Sequence, residues 1–175
     1  MPSHARRSAA IGLGVAVPLA AAVVGGWRHP ATREFFTDAR VVELSGRDAA
    51  YELFVRIPVM TAATEELLFR SVLLGIASEW LGVRRATVYT SLVFGAWHVV
   101  PALHSHRQNK AAADAVDGKG GRAALVVGTV AATSAAGLGL CALRLRTKSV
   151  VAPIIVHAAV NTVAFAVTRA AACRT

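Results

Sequence analysis

Charge is scarce in this chain. Asp, Glu, Lys and Arg make up only 17% of its 175 residues, against 55% hydrophobic ones. The length fits one domain better than two. The composition leans toward a membrane protein, with an alanine-rich soluble bundle as the other reading at this level. Acidic residues are rarer still, 10 against 19 basic ones, which leaves a formal net charge of +9. In a soluble protein such an excess would suggest nucleic acid. Here no basic patch is interleaved with aromatics, which argues against a nucleic-acid partner. The cations instead punctuate apolar stretches, as Arg84-Arg85 and Arg144-x-Arg146-x-Lys148 do, in the manner of membrane-flanking loops. Cysteine is nearly absent. Cys141 and Cys173 form no CxxC and no zinc spacing, so both read as residues of apolar helices. Cys173 stands third from the end, where a prenylation box needs it fourth, so the chain is not expected to be such a substrate itself. No internal repeat and no strand pattern is evident.

What is present is a series of apolar runs. Ile11 to Gly26 follows Arg6 and Arg7 and reads as a first membrane helix in preference to a cleaved signal peptide. Trp27 to Asp48 is polar and reads as a loop with room for a short surface helix. Glu52 and Arg56 are spaced to pair on the approach to the next run. Further spans are expected over Ile57 to Leu81, Ala86 to His104, Ala123 to Leu143 and Val150 to Val167, with a polar loop from His104 to Arg122. Each run is long enough to cross ~30 Å of hydrocarbon. The small residues of "AATSAAGLGL" in the fourth run permit close helix packing. The expectation is an all-α, multi-pass transmembrane bundle of about five spans. Residues 1–50 would form a leading helix and loop, and residues 51–172 a core. With the amino terminus inside, the short cytoplasmic segments hold Arg6, Arg7, Arg84, Arg85, Arg144, Arg146 and Lys148, which favours that orientation slightly.

Ionisable side chains within membrane helices are costly and usually face a bundle interior or a polar cavity. The second run carries Glu65, Glu66 and Arg70. Glu66 and Arg70 are four apart and can pair, whereas Glu65 lies about 100° round the helix and faces elsewhere. One carboxylate can thus serve structure while the other stays free. The third run carries Phe94 four residues before His98, and the fifth carries His157 four residues before Asn161. Counting ~1.5 Å per residue from the expected span ends places Glu65, His98 and Asn161 ~9–12 Å from one surface, with His157 a turn deeper. A carboxylate and two imidazoles at one cavity suit hydrolysis. Glu65 can act as general base beside a neutral His98, with His157 and Asn161 donating to an oxyanion. Equally, Glu65, His98 and His157 are a set that suits one catalytic zinc. Residue types leave both open. They also leave open a non-catalytic binding or immunity protein, or an ion or metal carrier, using the same polar cavity.

Taken together, Glu65-Glu66-x-x-x-Arg70, Phe94-x-x-x-His98 and His157-x-x-x-Asn161, in that order on three runs, resemble the CPBP family of CAAX proteases and bacteriocin-processing enzymes, also called the Abi family. The flanks "EELLFRSVLLG" and "LRTKSVVAPIIVHAAVNTVAF" share its texture, and the resemblance covers roughly Tyr51 to Val167. It implies an intramembrane endopeptidase acting on protein or peptide substrates, lipid-modified or plain, in the plasma membrane of a prokaryote. Carried over by position, Glu65 and His98 activate water, His157 and Asn161 stabilise the oxyanion, and Glu66, Arg70 and Phe94 support them. The family has been described both as metal-dependent and as glutamate-type, so the implied cofactor is one divalent metal or none. The absence of HExxH, GxSG and paired intramembrane aspartates argues against zincin, rhomboid and presenilin-like mechanisms.

Overall fold

The computed structural model describes residues 2–108 and 121–172. Cys173 and the central part of the expected polar loop lie outside them. Helix α1 is Pro2–Arg28. After a 3₁₀ turn at Arg33–Phe35 and a short helix α2, Ala39–Val42, a helical run over residues 46–81 forms α3. Helices α4 (Val83–Trp97), α5 (Val99–Gln108), α6 (Gly121–Thr147) and α7 (Val151–Ala172) complete the described chain. Among the described residues all regular structure is helical. Four helical stretches are long and apolar enough to cross a membrane: His4–Arg28, Val83–His104, Gly121–Thr147 and Val151–Ala172. The protein is therefore an all-α, multi-pass membrane bundle. The expected span over Ile57 to Leu81 is helical throughout but lies outside that set of four. It is wound unevenly, with π-helical turns over Glu52–Ala63 and Leu67–Leu73 on either side of an α-turn at Thr64–Glu66. Such turns are rare and concentrate at functional sites.

Most helices run past the ends expected from the sequence, and the third expected span is divided between α4 and α5. Residues 104–108, read as loop, continue α5. Helix α7 runs past Val167 to Ala172. There the Arg169 Nη1 donates to the carbonyl oxygens of Val41 (2.8 Å) and Val42 (3.1 Å) at the end of α2. Arg169 is thus a clamp inside the last turn of the helix. The Glu52–Arg56 pair forms as expected, at 2.6 Å, and Ser45 caps the start of α3 by accepting from the Asp48 N–H.

Small residues set the helix spacing. Helix α1 lies along α7 through Ser8, Gly12 and Ala16, one face at four-residue spacing. The Ala152 N–H donates to Ser8 Oγ at 3.2 Å. A side chain at Gly12 would meet the Ala152 backbone at 3.0 Å. Ala16 is buried against Leu140 and Val156. The beginnings of α1 and α7 therefore lie at the same end of the bundle, beside the α6–α7 turn. Helix α4 packs on α6 in the same way. A Cβ on Gly95 would overlap Ser134 Oγ and lie 2.7 Å from the Val130 carbonyl, and one on Gly137 would lie 3.2 Å from Ser91. Close packing of this kind substitutes for the hydrophobic effect where lipid is the solvent. Gly95→Ala is expected to lower the thermal stability of the detergent-solubilised protein by about 1–3 kcal/mol through overpacking. An unchanged melting temperature would show that α4 and α6 can part without cost.

Candidate active site

The polar residues gather where α3, α4 and α7 meet. Pro101, in the first turn of α5, has no N–H to offer the Trp97 carbonyl, and its ring would crowd that oxygen in a continuous helix. The helix breaks there: α4 ends at Trp97, and His98 leaves the helical region with φ −87° and ψ 3°. Its backbone N–H bonds to Gly95 O at 3.0 Å. The Phe94 carbonyl oxygen meets the His98 side chain instead, 2.8 Å from Nδ1. A carbonyl only accepts, so Nδ1 carries the proton and the neutral ring keeps its lone pair on Nε2. The kink thus fixes both the position and the tautomer of His98.

The neighbouring carboxylates have different surroundings. Glu66 and Arg70 are fully buried, and Arg70 Nη1 lies 3.0 Å from Glu66 Oε1. The same oxygen lies 2.8 Å from His157 Nδ1. The guanidinium carbon sits 4.0 Å from the centroid of the Phe94 ring, a cation–π contact that partly replaces missing solvent. Phe94 also stacks edge-on against His98 and His157, with ring centroids 4.7 Å and 5.9 Å apart. One aromatic ring therefore spaces the cation from both imidazoles. Glu65, on the adjacent face, takes a hydrogen bond from Trp97 Nε1 to Oε1 at 3.2 Å. Its Oε2 is buried, has no hydrogen-bond partner, and faces His157 Nε2 at 3.9 Å. That gap is too wide for a direct hydrogen bond and suits a bridging water.

A cavity of 990 Å³ opens beside this cluster, with Phe94, His98, His157 and Asn161 on its wall. Its other walls come from α1, α6 and α7 and are apolar except for Thr133 and Arg146 of α6. Glu65 is not among the lining residues; it reaches the cavity through His157. The four residues expected to meet in one cavity are thus three on the wall and one behind it. The depth estimate also changes. Because α7 extends to Ala172, His157 and Asn161 lie near the middle of the helix and not close to its far end.

Sequence reasoning missed two contacts. Spacing pairs Glu66 with Arg70 alone, yet it also holds His157 from another helix, and spacing along one helix carries no sign of that. Trp97 belongs to none of the three motifs. Its one signal was its place beside His98, since an indole N–H can only donate and a nearby carboxylate is its natural acceptor. The zinc set fares differently. Among the described residues, no group of three or more His, Cys, Asp or Glu side chains gathers as a metal site. His98 and His157 each use Nδ1 on a protein oxygen, which leaves Nε2 of both rings uncommitted, as Oε2 of Glu65 is.

No curated protein and no solved structure gives a significant match to the chain. The family model for type II CAAX prenyl endopeptidase Rce1-like proteins matches residues 49–163. That stretch takes in most of α3, all of α4, α5 and α6, and the half of α7 that bears His157 and Asn161, and so every residue of the cluster just described. The chain belongs to the Rce1-like family of type II CAAX prenyl endopeptidases, a family of membrane proteases.

Proposed function

We propose that the protein hydrolyses peptide bonds within the membrane with water activated by Glu65 and His98. The observation that carries this reading is the grouping of His98, His157 and Asn161 on one cavity wall, with the free Oε2 of Glu65 3.9 Å behind His157. Glu65 takes a proton from a water that His98 Nε2 orients. The hydroxide adds to the scissile carbonyl carbon, and the oxygen becomes an oxyanion. Asn161 donates its amide N–H to that oxygen. His157, as an imidazolium, keeps Nδ1–H on Glu66 and offers Nε2–H to the same oxyanion. Collapse breaks the C–N bond, and the proton on Glu65 passes to the departing amine. Trp97 holds Oε1 so that Oε2 is presented to the water. Arg70 balances the charge of Glu66 and leaves it able to orient His157. No step of this reading runs through a metal.

The substrates are peptides or proteins that reach the cavity from the bilayer, with or without a lipid modification. The test is peptide cleavage by the purified protein in liposomes, wild type beside His98→Ala. The variant is expected to insert and fold yet lose at least about 100-fold in kcat. Cleavage at wild-type rate in His98→Ala would overturn the assignment of the water-activating site.

A further inference from the structure

The face of α6 that walls the cavity ends on a cation. Thr133, Ala136, Gly139, Leu140, Leu143 and Arg146 line it at three- and four-residue spacing. Arg146 stands in the last turn of the helix and is exposed. No ion pair among the described residues takes its guanidinium. Its end of the bundle has the marks of a membrane interface. Arg6 and Arg7 arrive there with α1, because Ser8 bonds to Ala152. Arg144 and Lys148 flank the α6–α7 turn, and Arg84 and Arg85 come with the start of α4, whose Ala86 clusters with Cys141 of α6. Opposing them among the described residues is Glu79 alone, exposed in the last turn of α3. Trp80 beside it is 81% exposed, as suits an aromatic at headgroup level. Of these cations only Arg146 lines the cavity.

The wall below Arg146 suits an acyl chain better than a peptide. From Arg146 to Thr133 it runs ~20 Å at 1.5 Å per residue. One leaflet's hydrocarbon is ~15 Å deep, half of a ~30 Å core. Val15, Leu19 and Val23 of α1 also line this part of the cavity. Peptide N–H and C=O groups need partners in a dry channel, and these side chains offer none. Thr133 already donates its hydroxyl to the Thr129 carbonyl at 2.7 Å. Gly139 widens the path. A Cβ on Gly137 would press on Ser91 of α4, whereas one on Gly139 would meet nothing within 4 Å. Helix packing therefore explains the first glycine and not the second.

We infer that the α1–α6 side of the cavity binds an anionic phospholipid, with its phosphate on Arg146 and one acyl chain running past Gly139 toward Thr133. A guanidinium takes phosphate oxygens in a charge-assisted, bidentate pair. The chain exchanges lipid neighbours for an equally apolar wall, so the headgroup supplies the selectivity. The binding stands apart from the peptidase reading.

The test is native mass spectrometry of the full-length protein taken from phosphatidylcholine micelles titrated with phosphatidylglycerol. Wild type is expected to retain one phosphatidylglycerol at least about tenfold more tightly than phosphatidylcholine, the scale of one charge-assisted hydrogen bond. Arg146→Gln should abolish that preference, and Arg146→Lys should restore part of it. Gly139→Leu fills the path without removing a charge and should expel the lipid. Arg84→Gln combined with Arg85→Gln should leave it in place. Equal retention of the two lipids by wild type would overturn the inference, as would retention in Gly139→Leu. Equal losses in the Arg84/Arg85 variant and in Arg146→Gln would overturn it by marking a diffuse cationic surface. Displacement of the lipid by inorganic phosphate would overturn it by marking a site for the anion alone. A lipid in this place also shares the cavity with His157 and Asn161. Phosphatidylglycerol should therefore raise KM for an uncharged peptide in wild type and not in Arg146→Gln, an effect that rests on the peptidase reading. An unchanged KM with the lipid bound would overturn its placement in the cavity.

Discussion

Glu65→Gln is expected to lower the rate of peptide cleavage by about 10²–10⁴-fold, the usual contribution of a general base, with little change in folding. The substitution keeps the shape of the side chain and keeps an oxygen for the Trp97 indole, which bonds to Oε1 at 3.2 Å. It removes only the ability to take a proton on the oxygen that faces His157 at 3.9 Å. Glu65 Oε2 has no hydrogen-bond partner, so losing the charge breaks no hydrogen bond. Single-turnover cleavage in liposomes is the measurement, with circular dichroism of the same sample to show that the helices persist. If Glu65→Gln cleaved at more than about a tenth of the wild-type rate, Glu65 would not be the base, and water activation would have to be assigned elsewhere.

Glu66 and Arg70 are expected to respond in the opposite way. Both side chains are fully buried, and one carboxylate oxygen serves both Arg70 and His157. Removing the guanidinium leaves a carboxylate charge in a dry environment, and breaking a buried pair by deleting one partner costs about 3–5 kcal/mol. Arg70→Ala should therefore lose most of its folded population in detergent before activity can be assayed. The double variant Glu66→Gln with Arg70→Met should recover much of that stability, because it removes both charges and keeps the volume. It should stay slow in catalysis, since His157 then lacks a carboxylate at Nδ1. If Arg70→Ala melted with the wild type, the pair would be solvated and not the clamp that the geometry describes.

The parts of this arrangement that depend on spacing along one helix were legible in the sequence. Glu66 and Arg70, four apart, pair as expected, as do Glu52 and Arg56. The small residues of the fourth apolar run do bring α6 close to α4, at Ser134 and Gly137. The apolar runs gave the bundle. What spacing cannot encode is which helix meets which. The contact of His157 with Glu66 joins residues 91 apart, and that of Trp97 with Glu65 joins residues 32 apart. Neither has a signature in either segment taken alone. Pro101 was visible as a residue, but its consequence, a kink that hands the Phe94 carbonyl to His98, depends on which carbonyl loses its donor. The reach of α7 past Val167 was hidden because the carbonyl partners of Arg169 lie on α2. Helix α1 lies outside the stretch matched by the family, yet it supplies part of the cavity wall. Apolar periodicity marks such a helix as membrane-spanning and says nothing of what it lines.

The central claim is that this cavity cuts peptide bonds with a glutamate-activated water. Its most direct test is mass-spectrometric analysis of a peptide panel, with free and amidated ends and with and without a prenyl group, after incubation with the wild-type protein in liposomes, in the presence and absence of a strong chelator. The predicted result is one defined cleavage site per susceptible peptide, at a rate the chelator does not change. Cleavage abolished by the chelator and restored by a divalent metal would contradict the glutamate mechanism. A folded, inserted protein that cleaves nothing would contradict the peptidase itself.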